Sequence, residues 1–281
     1  MSDHSELPTG GHNNAMHDFR SAAIDSPHAP TRREPVLEAR GLEKHFGAMA
    51  AVRGVDVAVA PGERVGLLGP NGAGKTTTLL MLLGAITPDA GSVTIAGHVL
   101  PRGRSRAMES VGFVAGYLPL PQHLTVAEAL EFFGRLYGLR RPRPAVAETL
   151  GRFGVSGLAG QRCESLSSGQ RTLVGICKAI LHQPRLVVLD EPTASLDPDV
   201  AHRVREGLLA LSEDEGTALL VTSHHMLEVE RLCQRVVFVS RGTVVAQGTP
   251  TEVVAQYGRE DLEGVFLDIA GTFVDDDGGE R

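Results

Sequence analysis

Short apolar runs with the period of strands alternate along this chain with longer stretches of helical period, and that alternation sets the fold class. Val36-Leu-Glu-Ala-Arg40 and Val52 to Ala60 read as strands, and Pro61-Gly62 turns the chain into Arg64-Val-Gly-Leu-Leu68, a buried strand. Thr77 to Leu83, rich in Leu and Met, reads as a helix, and Ser92–Ala96 with Val99-Leu100 form a hairpin about Gly97-His98. Leu124 to Leu139 is helical, capped by Thr125 with Glu128 three residues on; Arg141-Pro-Arg-Pro144 interrupts it. Ala145 to Phe153 and Gln170 to His182 supply further helical patterns, so residues from about 118 to 182 form a helical insert. Leu186 to Leu189, Ala218 to Thr222 and Val236 to Val239 then return as runs typical of strands covered on both faces. The order implies an α/β fold with a mainly parallel sheet and a ligand at its carboxyl edge.

The ends differ from the middle. Residues 1–34 are rich in Ser, His, Pro, Gly and Asn and lack periodicity, which predicts a disordered tail, and residues 268–281, with Asp275-Asp-Asp277, predict a flexible acidic one. Between them, 281 residues with 42% hydrophobic content supply ample core. No run reaches the ~18 apolar residues needed to cross a bilayer, and the N-terminus begins polar, so the expected location is cytoplasmic unless a partner holds the chain at a membrane. A net charge of -7, without clustered Lys and Arg among aromatics, argues against nucleic acid as partner. Cys163, Cys177 and Cys233 are widely spaced and read as reduced, packed thiols. Of the eleven histidines, His4, His12, His17 and His28 lie in the N-terminal tail without ligand spacing.

The chemistry begins at Gly69-Pro70-Asn71-Gly72-Ala73-Gly74-Lys75-Thr76, between the buried strand and the helix. Glycines there let consecutive amide N–H groups turn toward phosphate oxygens, and the following helix adds the positive end of its dipole. Lys75 would reach the β and γ phosphates, and Thr76 would offer its hydroxyl to Mg²⁺, with Thr77 next on the helix. Leu166-Ser167-Ser168-Gly169-Gln170 and Leu186-Val-Val-Leu-Asp190-Glu191 follow. A loop of that kind running into an apolar strand that ends in two acids suggests two half-sites, each incomplete until a second copy closes over ATP. Paired acids at a strand end can equally be solvation alone, and Ser223-His224-His225 between a strand and a helix can be only a cap.

Taken together, these elements resemble the ATP-binding subunits of ABC transporters, over about residues 35–267. The resemblance rests on the phosphate loop, the signature loop Leu166–Gln170, Asp190-Glu191, Ser195-Leu-Asp197 and Thr222-Ser-His224, in that order. It implies a P-loop NTPase (RecA-like) core with an antiparallel β subdomain and a helical subdomain at about 118–182. It also implies ATP with Mg²⁺, the ion held by Thr76 and Asp190, and catalysis by Glu191, Lys75 and His224. Phe46, in Lys44-His-Phe-Gly47, stands where the family usually has an aromatic ring against the adenine; the alternative is a core residue. Ser167, Ser168, Gly169, Gln170 and Asp197 would meet nucleotide, the signature loop contacting the ATP of the opposite subunit.

The implied function is ATP hydrolysis that powers transport, as export, through a separate ABC-2 type membrane permease. The chain would pair with a second ATP-binding subunit and sit on the inner face of the membrane. The endings Thr222–Cys233 and Leu262–Leu267 carry the ABC-2 likeness. The alternatives are a soluble ATP-dependent switch on a non-membrane partner and a weakly hydrolysing regulatory subunit. Gly116 stands at the family's glutamine position, so altered coupling or metal positioning is expected there. Ser168 and Leu173 are further departures, neither disabling.

Overall fold

In a computed structural model the fold is described for residues 34–115, 120–194 and 196–275. The expected N-terminal tail, Gly116 and Ser195 lie outside the described residues.

Two sheets organise the chain. The first is antiparallel, in the order β2-β1-β4-β5, from β1 (Leu37–Phe46), β2 (Met49–Val59), β4 (Ala90–Ile95) and β5 (His98–Val99). The second has six strands in the order β10-β9-β3-β8-β7-β6. It comprises β3 (Arg64–Leu68), β6 (Val111–Ala115), β7 (Leu186–Asp190), β8 (Ala218–Thr222), β9 (Arg235–Ser240) and β10 (Thr243–Gly248). All its pairings are parallel except β9 with β10, so the expected mainly parallel sheet carries one antiparallel edge.

Strand periodicity explains the two cores. Along β7, Leu186 and Val188 face one side of the sheet and pack with β1, β2 and helix α1 (Lys75–Leu82) through Leu37, Leu42, Leu79 and Met81. Val187 and Leu189 face the other side and pack with Leu130, Phe153, Ile176 and Leu208. Those come from α3 (Val126–Leu136), the end of α4 (Pro142–Arg152), α5 (Ser168–Ile180) and α6 (Pro198–Glu215). The short α2 (Arg104–Met108) leads into β6, while α7 (Met226–Leu232), α8 (Pro250–Tyr257) and α9 (Leu262–Asp275) complete the chain. Among the described residues, no helix is long and apolar enough to cross a membrane.

The elements expected from sequence are present with shifted boundaries, and three of the differences are informative. The hairpin turn is Ala96-Gly97, one residue earlier than expected: both have positive φ, 47° and 83°, and Ile95 pairs with His98 across a two-residue loop. The prolines after α3 do not delay the next helix but begin it, because a proline in the first turn gives up only an N–H with no intrahelical partner. The flexible tail expected from residue 268 is corrected by α9, which continues to Asp275. Ile269, 4% exposed, extends the buried stripe of Leu262 and Val265, and that apolar face outweighs the acidic composition of the end. All three described cysteines are buried, and burial pushes Cys177 and Cys233 up to about 12, so they pack as inert thiols.

Candidate functional site

The phosphate loop joins β3 to α1 at the carboxyl edge of the parallel sheet. Its glycines are fixed by steric contact: a Cβ at Gly69 would overlap the Val239 carbonyl, and one at Gly74 would lie 2.5 Å from the Ala51 carbonyl oxygen. Gly69, Gly72 and Gly74 all have positive φ, so the loop is a tight cradle of backbone amides. Pro70 and Ala73 are buried beneath it, while Asn71, Gly72 and Thr76 face outward. A cleft of about 660 Å³ lies over this loop, lined by Asn71, Gly72, Gly74, Lys75, Thr76 and Thr77. Met49, Ala50, Ala51 and Arg53 of β2 line its far side, with Arg241 from the β9–β10 turn. Periodicity along the chain gave no sign of Arg53 or Arg241, which reach the cleft only through the packing of β2 against that turn, where Arg53 donates its amide to the Gly242 carbonyl at 2.7 Å.

Lys75 folds back onto its own loop, donating to the Gly69 carbonyl at 2.6 Å and the Pro70 carbonyl at 2.9 Å. Burial pushes its ammonium below the ordinary lysine value, opposed by the carboxylates of Glu191 and Asp190. Its two bonds are to carbonyl oxygens, so phosphate oxygens could replace them without stranding a partner of opposite charge.

The two acids stand at the end of β7, and the neighbouring strand arranges them. Asp190 is paired in register with Thr222 at the end of β8. The Thr222 hydroxyl donates to Asp190 Oδ1 at 2.7 Å and accepts the Glu191 amide at 3.1 Å. Glu191 has φ 54°, a left-handed conformation that costs a side-chain-bearing residue about 1–2 kcal/mol. Its amide, shared between the hydroxyl and carbonyl of Thr222, holds that conformation. The carboxylate is thereby turned to His224, whose Nε2 lies 3.1 Å from Oε1 and whose amide donates to Oε2 at 3.3 Å. Glu191 and His224 are thus brought together. The bridging Thr222 hydroxyl was missed from sequence, because strand pairing 32 residues apart leaves no local signal.

Elsewhere the correspondence is looser. Phe46 is 48% exposed, which excludes the core alternative, and it is not among the residues that line the cleft; its neighbour across the hairpin, Met49, is. Lys44 Nζ sits 6.0 Å from its ring centroid. In the signature loop, Ser167 caps α5: its hydroxyl accepts the Gln170 amide at 3.2 Å, and the Gln170 carboxamide oxygen accepts the Ser167 amide at 3.0 Å. The helix therefore begins at Ser168, two residues before Gln170. Gly169 is buried, with room for a Cβ only 3.2 Å from Val200, so the start of α5 is packed on α6. Ser168 lines a second cleft of about 220 Å³ with Arg171, Asp190 and Glu191. Asp197 is exposed at the start of α6.

Oxygen donors dominate the arrangement. The Thr76 hydroxyl and the Asp190 carboxylate suit a hard divalent cation, and no group of three or more His, Cys, Asp or Glu stands together among the described residues. Hydroxyl and carboxylate oxygens are the donors that Mg²⁺ takes alongside phosphates and waters.

Comparison with known proteins accounts for this layout. The profile of the family described as ABC transporter matches residues 52–194. The linearmycin resistance ATP-binding protein LnrL of Bacillus subtilis is 34% identical over 84% of this chain and 76% of its own length. The Nod factor export ATP-binding protein I of Ralstonia nicotianae is 39% identical over 83% of this chain and 73% of its own. The solved structure of an ATP-binding subunit of an ABC transporter superposes with TM-score 0.77 at 28% identity, over 84% of this chain and 99% of that one. The chain belongs to the ATP-binding subunits of ABC transporters, ATPases whose hydrolysis is coupled to transport.

Proposed function

We propose that this chain pairs with a second copy, or with a related chain, around two ATP molecules and so powers export through an ABC-2 type permease. The observation that supports the catalytic part is that Asp190, Thr222, Glu191 and His224 are hydrogen-bonded together at one sheet edge, with Lys75 near enough to feel the charges of Glu191 and Asp190. Lys75 exchanges the Gly69 and Pro70 carbonyls for the β and γ phosphates. Thr76 and Asp190 hold Mg²⁺, which when bound neutralises charge on the transferring phosphoryl group. Glu191 accepts a proton from, or orients, the attacking water. His224, released from Glu191, donates to the γ-phosphate. Phe46 or its neighbour Met49 covers the base. The signature residues Ser167, Ser168 and Gly169 complete the site of the opposite subunit, with the N-terminus of α5 directed at its phosphates. Loss of the γ-phosphate then removes the shared ligand, and the pair opens.

Export is supported by the names of two relatives, one of a resistance protein and one of an export protein. The location on the inner face of the membrane follows from the permease. Gly116, at the family's glutamine position, implies altered coupling while hydrolysis is retained through Glu191. Glu191→Gln tests the catalytic assignment: hydrolysis falls by roughly 10²-fold or more and an ATP-bound dimer accumulates, whereas ordinary turnover removes Glu191 from the role of base. Co-purification from detergent with a polytopic membrane protein supports the transport reading; a strictly soluble complex overturns it.

A further inference from the structure

We infer that Phe266 of the C-terminal helix is a positioning residue for His224, so that α9 sets the orientation of the imidazole in the catalytic site. The Phe266 and His224 rings meet edge to face, with centroids 6.5 Å apart and planes at 79°. His224 is otherwise exposed and stands two residues after the end of β8, where a short loop alone would leave its ring several rotamers. Two contacts limit it: the Glu191 carboxylate at 3.1 Å on one side and the Phe266 ring on the other. When ATP draws the imidazole from Glu191, the contact with Phe266 is the one that can persist.

Phe266 is itself held firmly. Leu262 and Val265 are fully buried and Ile269 nearly so, in the same core as Met226, Val229 and Leu232 of α7. The first amide of α9, that of Leu262, donates to Glu230 Oε1 at 2.8 Å, tying this helix to the one that begins two residues after His224. Arg259 and Asp268 join across its start, Nε to Oδ2 at 2.6 Å. The Phe266 ring therefore stands on a rigid base keyed to the His224 loop, and any shift of α9 against α7 is felt at the imidazole before it is felt at the phosphate loop.

The inference rests on the reading that His224 contacts the γ-phosphate, and the experiment separates the two. Steady-state hydrolysis and fluorescent-nucleotide affinity are measured on the full chain for the parent, Phe266→Leu, Phe266→Tyr, His224→Ala and the double variant Phe266→Leu/His224→Ala. Phe266→Leu keeps the apolar packing and removes the ring edge. It is expected to lower kcat about two- to ten-fold, with KM and nucleotide affinity within about two-fold of the parent. Phe266→Tyr retains the ring and stays near parental turnover. The double variant turns over no more slowly than His224→Ala alone. In labelled nucleotide-free chain, the His224 ring resonances are single in the parent and Phe266→Tyr and shift or broaden in Phe266→Leu. A kcat unchanged in Phe266→Leu, an equal loss on the His224→Ala background, or unchanged resonances overturns the inference while leaving His224 in its role. Parental turnover in His224→Ala removes the role of His224 and the inference with it.

Discussion

The His224 imidazole meets the carboxylate of Glu191, 3.1 Å from Nε2 to Oε1, and the His224 amide donates to the other oxygen at 3.3 Å. In the roles proposed for them, Glu191 as base and His224 as γ-phosphate contact, the two residues are coupled through this bond. Residues that act as one unit lose activity non-additively. His224→Ala should slow hydrolysis about ten-fold or more, and the Glu191→Gln/His224→Ala double variant should be no slower than Glu191→Gln by more than a few-fold. Single-turnover hydrolysis with radiolabelled ATP measures both. Full multiplication of the two losses would show that the residues act independently.

Thr222 is the second test, because one hydroxyl serves both acids. It donates to Asp190 and accepts from the Glu191 amide while its side chain is buried, 1% exposed. Thr222→Val keeps shape and removes the hydroxyl, which should cost about 1 kcal/mol of stability. In its proposed role as a Mg²⁺ ligand, Asp190 loses orientation with that hydrogen bond, so the Mg²⁺ concentration for half-maximal hydrolysis should rise about ten-fold or more. Thr222→Ser should restore it. A Mg²⁺ titration of turnover checks the claim, and an unchanged midpoint would confine Thr222 to a structural role.

Much of this site is readable before any fold is known, since the phosphate loop, the signature loop and the Asp190-Glu191 pair are contiguous in sequence and their chemistry is local. The capping box at Thr125 is equally local and is present, while the one at Ser167, which starts α5 two residues before the expected Gln170, was not read. What the sequence conceals depends on pairing in space. The Thr222 bridge needs β8 beside β7, the Arg53 and Arg241 lining needs β2 against the β9–β10 turn, and Phe266 meets His224 only when α9 packs on α7. The end of α9 is obscured for a different reason: acidic composition suggests solvation, while one buried side chain, Ile269, carries the apolar stripe of Leu262 and Val265 into the expected tail.

His182 gives a pH dependence. Its Nε2 lies 3.2 Å from the Val111 carbonyl, its ring is 4.4 Å from that of Tyr137, and Nδ1 is buried without a partner. Burial pushes the imidazole below the ordinary histidine value of 6.5, only partly offset by the Val111 carbonyl. The unfolded chain therefore takes up the proton at a higher pH than the folded one. Stability rises with pH across the window between the folded value and 6.5, is undiminished above it, and is lost as pH falls through it. The neutral His182→Gln variant should show a flatter loss between about pH 7 and 5. Urea midpoints compared across that range decide it; parallel curves for parent and variant would remove His182 as the cause.

One close fit between the helical insert and α6 is at Phe153, whose ring, 1% exposed, lies against Gly207. A Cβ at Gly207 would overlap the ring itself, so the glycine is there to admit Phe153 and not to satisfy an unusual backbone angle. Alanine normally favours a helix over glycine by about 1 kcal/mol, which predicts that Gly207→Ala stabilises α6 if propensity decides. Overpacking of a filled core costs about 1–3 kcal/mol and acts in the opposite sense. The ring is rigid and enclosed and a Cβ would overlap it, which puts the steric cost at the upper end of that range: Gly207→Ala should lower stability by up to about 2 kcal/mol once the helical gain is subtracted. Denaturant midpoints measure it, and Phe153→Leu on the Gly207→Ala background separates the two effects. If space is the cause, adding Gly207→Ala to Phe153→Leu costs little or nothing, because the smaller side chain no longer fills the site. If Gly207→Ala costs the same with Leu at position 153, the ring is not what requires the glycine.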